Sequence, residues 1–150
     1  MIAEALAATA PGVLGPLDLL ALSTASALGA ACRYAVDRVV TRLPRRSGRA
    51  GRPGREPFPV GIAVVNISGC LLVGLLAGWM SAGWMSQGGA ATWLAVAQVG
   101  FVGSYTTFST WVLNSLLLLE ERPGAALLNL FGSLVGGLCA VLLGFLLTAG

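Results

Sequence analysis

Gly100-Phe101-Val102-Gly103-Ser104-Tyr105-Thr106-Thr107-Phe108-Ser109-Thr110-Trp111 sits inside an apolar stretch that runs from residue 92 to residue 119. Two glycines and five serines or threonines in twelve positions is a dense run of hydroxyls for an apolar span. As one straight helix the stretch would be ~42 Å long, against a hydrocarbon core of ~30 Å. Two readings follow. Either the helix tilts and its hydroxyls bond back to its own carbonyls, or it breaks near Gly103–Thr106 and frees backbone groups. Non-helical backbone at membrane depth persists only where protein buries it or where it lines a hydrated cavity, so a break there would mark a site.

Around this stretch lie three more apolar runs of membrane-spanning length, at about residues 17–40, 59–81 and 124–148. The 150 residues are 56% apolar and 10% charged, where a soluble domain is usually about a quarter charged. The reading is an all-α membrane protein with four transmembrane helices in one domain, 1–150. A leader at 1–16 rich in Ala, Gly and Pro precedes the first span, and a basic loop fills 41–58.

The charges fix orientation. Eight of the nine arginines fall between Arg33 and Arg55, and the ninth is Arg122 between the third and fourth spans. The leader, the loop at 82–91 and the C-terminus carry none, so the positive-inside rule puts both basic loops in the cytoplasm and both termini outside. The arginine block suits lipid headgroups, with anion gathering as a second reading. It does not suit nucleic acid, because the basic residues sit in one short block beside hydrophobic spans rather than interleaved with aromatics on a surface. Residues 1–16 contain Glu4 and no basic residue, so the first span lacks the n-region of a cleaved signal peptide and is read as retained.

Histidine is absent, and the six acids lie at or beyond the span ends. No carboxylate pair, His-based triad or His/Cys metal site can therefore form at mid-membrane, which argues against an enzyme. Cys32, Cys70 and Cys139 have no CxxC spacing and read as small packing residues.

What the spans do hold is uncharged polarity. Asn66 lies in the second span with Gly69 close after it and a Gly74–Gly78 GxxxG pair beyond, a pattern that serves helix packing as readily as it serves a site. In the fourth span Asn129, Ser133, Gly136, Ala140 and Gly144 recur at helical spacing on one stripe. The third adds Thr106, Thr107, Ser109 and Thr110, with Phe108 and Trp111 three residues apart. A cation path calls for an embedded carboxylate, whereas an anion path calls for amide and hydroxyl donors and the electropositive edges of aromatic rings. The residues thus point to a small anion conduit.

The motifs Gly29-Ala-x-x-Arg33-Tyr34, Gly61-x4-Asn66-x2-Gly69 and Gly100-Phe-x-Gly-x-x-Thr-Thr-Phe-Ser-Thr110, with a weaker Ser133-x3-Gly137, resemble those of the Fluc/CrcB family of small bacterial fluoride channels. The resemblance covers essentially all four spans. It implies an antiparallel dimer with two fluoride pores at the subunit boundary, a third helix broken near its middle, and a structural sodium ion on the two-fold axis. By position, Gly103 and Thr106 would give backbone carbonyls to sodium. Asn66 would donate to fluoride, Phe108 and Trp111 would present ring edges, and Ser109, Thr110 and Ser133 would line the pore. Arg33 would sit near a vestibule or support the structure. The implied activity is passive fluoride export from the bacterial inner membrane, conferring resistance to fluoride. Hydrogen fluoride enters a cell neutral and ionises, and a negative-inside potential then drives the anion out at ~2.3 kcal/mol per charge per 100 mV.

Three positions depart from the family pattern: Trp111 stands where a second pore phenylalanine is usual, Asn114 where a glutamate is common, and Asn129 where a tyrosine is common. Trp111 keeps ring edges and adds an indole N–H donor. The one-sided charge also suggests pairing with a related, oppositely oriented chain, with a homodimer as the alternative. A small multidrug-type proton-coupled exporter is a rival reading, but it resembles systems with a glutamate in the first span, which here has only Ser23, Thr24 and Ser26. A non-transporting membrane assembly protein would explain the glycines and leave the Thr-Thr-Phe-Ser-Thr run unexplained.

Overall fold

The computed structural model of the protein describes residues 15–46, 58–82 and 96–149. Most of the leader, the rest of the basic loop and the start of the third span at 92–95 lie outside the described residues. Every regular element among the described residues is helical: α1 (Pro16–Arg46), α2 (Val60–Ser81), α3, α4 (Phe108–Glu121) and α5 (Pro123–Thr148). Helix α3 is compound, with π-helical turns over Val96–Val102 running into a single α-turn, Gly103–Tyr105. Among the described residues, three helices are long and apolar enough to cross a membrane, through Pro16–Arg42, Val60–Ser81 and Pro123–Thr148.

The helix ends follow from local chemistry. At the start of α1, Asp18 Oδ2 accepts the Gly15 N–H at 2.9 Å, placing an acid where the helix dipole favours one. Its far end runs to Arg46, past Pro44 and beyond the Val40 boundary expected from hydropathy. Residues 41–46 therefore belong to a helix rather than to a loop. Helix α5 opens with Pro123, whose missing N–H removes nothing at a first turn. Arg122 alone separates α4 from α5, and its N–H closes α4 on the Leu118 carbonyl at 2.7 Å.

Packing is set by glycines. Helix α2 lies chiefly on α5, and a Cβ on Gly74 would collide with the Val141 carbonyl. A Cβ on Gly144 would come within 2.7 Å of the Leu75 nitrogen. Gly78 meets Phe145 and Thr148 in the same seam, so the GxxxG pair is a packing face. Thr148 Oγ1 donates to the Leu75 carbonyl at 2.9 Å across it. Helix α1 rests on α3, where Gly29 faces the Phe101 carbonyl with no room for a side chain. The hydroxyls of Ser23 and Thr24 return to carbonyls of their own helix, Leu19 and Leu20.

Val65, Leu118 and Asn129 are the largest fully buried side chains, while Leu20, Leu28, Leu128, Leu138 and Leu146 are more than half exposed. An apolar exterior around a core that includes a buried amide suits a lipid surround.

Candidate functional site

Between α3 and α4 the chain leaves helical geometry for two residues. Thr106 has φ −78° and ψ 160°, and Thr107 has φ −149° and ψ 121°, both extended. Thr106 closes the turn behind it, with its N–H and its Oγ1 both donating to the Val102 carbonyl, at 3.0 and 3.1 Å. Thr107 opens the helix ahead of it: its Oγ1 accepts the Thr110 N–H at 3.4 Å and donates to Thr110 Oγ1 at 3.1 Å. A threonine hydroxyl at a helix N-cap is a favourable start signal. Gly69 on α2 makes room, since a Cβ there would strike Thr106 Cγ2.

Extended backbone inside an apolar protein needs partners, and Asn66 on α2 supplies both. Its Oδ1 accepts the Thr107 N–H at 2.9 Å, and its Nδ2 donates to the Thr107 carbonyl at 3.1 Å. A carboxamide has two N–H bonds, so one remains for another acceptor. The diversion of Thr107 N–H to Asn66, and of Thr110 N–H to a side chain, leaves the Gly103 and Thr106 carbonyls without the N–H four residues on that a continuous helix would give them. Unclaimed carbonyl oxygens of this kind suit a hard monovalent cation. Gly103 is exposed on the outer face of the chain.

Below the break lies a groove of about 480 Å³. It brings together six of the residues singled out in the sequence: Asn66, Gly103, Thr106, Phe108, Trp111 and Ser133. Among the described residues no acidic or basic one lines it. Ser109 is exposed off the groove, Thr110 is engaged with Thr107, and Arg33 lies on α1 away from it. Phe108 is 74% exposed on the open side, with its ring edge-on to Trp111 at 5.6 Å. Ser133 Oγ is buried without a hydrogen-bond partner.

The indole of Trp111 behaves differently from its sequence-based expectation as an added donor. Its N–H donates to the backbone carbonyl of Asn129 at 3.1 Å, so that donor is directed at α5 and away from the groove. Asn129 Nδ2 donates to Ser115 Oγ at 2.8 Å, and Ser115 Oγ donates to the Trp111 carbonyl at 2.9 Å. Ser115 escaped notice in the sequence because a lone serine in a leucine-rich helix carries no motif. Tyr105 stands inside the stretch at 100–111, whose pattern assigns it no role; its hydroxyl pairs with Ser68 Oγ at 2.9 Å. Gln98, a groove residue on α3, was signalled only by being an amide in an apolar window.

A sequence profile of the family described as "CrcB-like protein, Camphor Resistance (CrcB)" matches residues 20–145. The chain belongs to the CrcB-like family. Among the relatives of this CrcB-like chain is the fluoride-specific ion channel FluC 2 of Mycobacterium tuberculosis (strain ATCC 25618 / H37Rv), 41% identical over 118 residues, which are 78% of this chain and 79% of that protein. The fluoride-specific ion channel FluC of Methylobacterium nodulans is 34% identical over 126 residues, 83% of this chain and 90% of the relative. That of Novosphingobium aromaticivorans is 33% identical over 124 residues, 82% and 89%. The resemblance read from the motifs is thereby borne out, and the CrcB-like chain is a membrane protein whose family match contains every residue of the break and the groove.

Proposed function

We propose that this chain is a subunit of a fluoride-selective channel that exports fluoride passively across a bacterial cell membrane and so protects the cell from fluoride. The observation that carries the reading is the groove itself. Uncharged donors and two aromatic rings converge on it, and among the described residues neither an acid nor a base lines it. Fluoride is small and tightly hydrated, so a path must replace its water with several donors yet let it leave. The free N–H of Asn66, the unpartnered Ser133 hydroxyl and the ring edges of Phe108 and Trp111 are suited to that balance. The names of the relatives, fluoride-specific ion channels, agree with it.

In this reading α3, the extended pair Thr106–Thr107 and α4 together make one broken crossing, giving four crossings with α1, α2 and α5. The groove is open along Phe108, and a second, antiparallel subunit closes it. Gly103 and Thr106 carbonyls, freed by the break, are the oxygens that would hold a sodium ion between subunits; bound there, the cation supplies structural charge compensation. The six arginines from Arg42 to Arg55, with Arg122, bias the chain to one orientation, with both termini outside, and favour a related chain of opposite orientation as partner over a copy of itself.

The test is fluoride efflux from liposomes containing the purified chain, alone and with its proposed partner. Fluoride efflux without chloride or organic-cation transport supports the reading, and no fluoride efflux in either preparation rejects it. Replacing sodium by a large organic cation should reduce the dimer fraction seen by cross-linking, a readout separate from transport.

A further inference from the structure

Trp111 is tied to α5 from two directions. Its indole N–H donates to the Asn129 backbone carbonyl, its own backbone carbonyl accepts the Ser115 hydroxyl, and Ser115 Oγ accepts from Asn129 Nδ2. The three bonds form a closed circuit joining α4 to α5. Asn129 is 1% and Ser115 7% exposed, so the bond between them is buried, and the two bonds to Trp111 are part-buried. On its other side the indole meets Phe108 edge-on and lines the groove.

An indole N–H is a stronger, more directional donor than a ring C–H, and conduction requires that an anion not be held too firmly. The circuit commits that N–H to α5 and leaves ring carbons facing the groove, the chemistry that Phe108 also presents. We propose that Ser115 and Asn129 are positioning residues that keep the Trp111 N–H off the anion path and thereby tune fluoride release. The acceptor of the indole is a backbone carbonyl, so the Asn129 side chain acts through Ser115 and through the placement of α5. The consequence for transport rests on the channel reading, whereas the circuit itself does not.

The test uses the full chain in phospholipid bilayers, with variants S115A, N129L, W111F and the double variant S115A/W111F. The first readout is hydrogen–deuterium exchange of the Trp111 indole N–H, assigned in the NMR spectrum by its loss in W111F. The second is the ratio of fluoride to chloride flux. Exchange should quicken by about fivefold in S115A and in N129L, the factor set by one net hydrogen bond. The flux ratio should shift in S115A and stay unshifted when the same change is made in W111F, because the effect passes through the indole. Equal shifts with and without Trp111 would reduce Ser115 to packing and overturn the proposal, as would unchanged exchange in both single variants. If exchange quickens but the wild-type chain carries no fluoride, either alone or with its proposed partner, the circuit stands and the channel reading fails.

Discussion

The carboxamide of Asn66 satisfies both backbone polar groups of Thr107, accepting its N–H at 2.9 Å and donating to its carbonyl at 3.1 Å. The side chain thus does what a neighbouring strand would do for extended backbone, at a depth where water is scarce. Asn66 is therefore a splint for the break as well as a candidate donor to the anion.

Removing the splint should cost stability as well as flux. Asn66→Ala leaves the buried Thr107 N–H without its acceptor, at about 1–3 kcal/mol, while the Thr107 carbonyl keeps its place at the start of the α4 ladder. The thermal unfolding midpoint in detergent should fall and fluoride efflux should be lost. An Asn66→Ala protein with wild-type stability would show that the pairing is not needed.

Thr107 provides a milder case. Thr107→Ser keeps the hydroxyl that caps α4 and should retain near-native stability, whereas Thr107→Val removes it at a cost of about 1 kcal/mol. Equilibrium unfolding of the two variants checks the difference, and equal stabilities would contradict the cap.

Glycine tolerance should follow contact geometry. Gly74→Ala and Gly29→Ala place a Cβ on the Val141 and Phe101 carbonyls, whereas Gly132→Ala finds its nearest neighbour, Leu128 Cδ1, at 3.7 Å. The first two should reduce the yield of folded protein in a membrane extract, and the third should leave it unchanged. Overpacking of this kind commonly costs about 1–3 kcal/mol.

The elements that repeat a simple physical pattern were legible in the sequence. The apolar runs of α1, α2 and α5 announced helices, and the Gly74–Gly78 spacing announced a packing face, which the structure sets against α5. The groove was largely legible as a residue set, because amides and hydroxyls stand out against apolar surroundings. What could not be read was which donor already had a partner. Asn66 looked like a free donor, yet most of its capacity serves Thr107, and the Trp111 N–H is turned to Asn129. Both facts depend on contacts between residues far apart in the chain. The end of α1 was not legible for a different reason: hydropathy marks where an apolar run ends, whereas the backbone helix continues past it to Arg46.

Phe108 is the most exposed aromatic of the groove and makes its ring contact with Trp111. Phe108→Ala should lower fluoride efflux by at least about tenfold, the equivalent of ~1.4 kcal/mol at the barrier. Its effect on unfolding should be small, because an exposed ring buries little in the single chain. Loss of folding without loss of flux per folded molecule would reverse that assignment.

The central claim is tested most directly by fluoride-electrode measurement of efflux from potassium fluoride-loaded liposomes containing the chain with its oppositely oriented partner, with valinomycin setting the potential. The account predicts fluoride release that starts with valinomycin, needs no proton gradient, is absent for chloride and is lost in Asn66→Ala and Phe108→Ala. Release that is equal for fluoride and chloride, or unchanged in both variants, would contradict it.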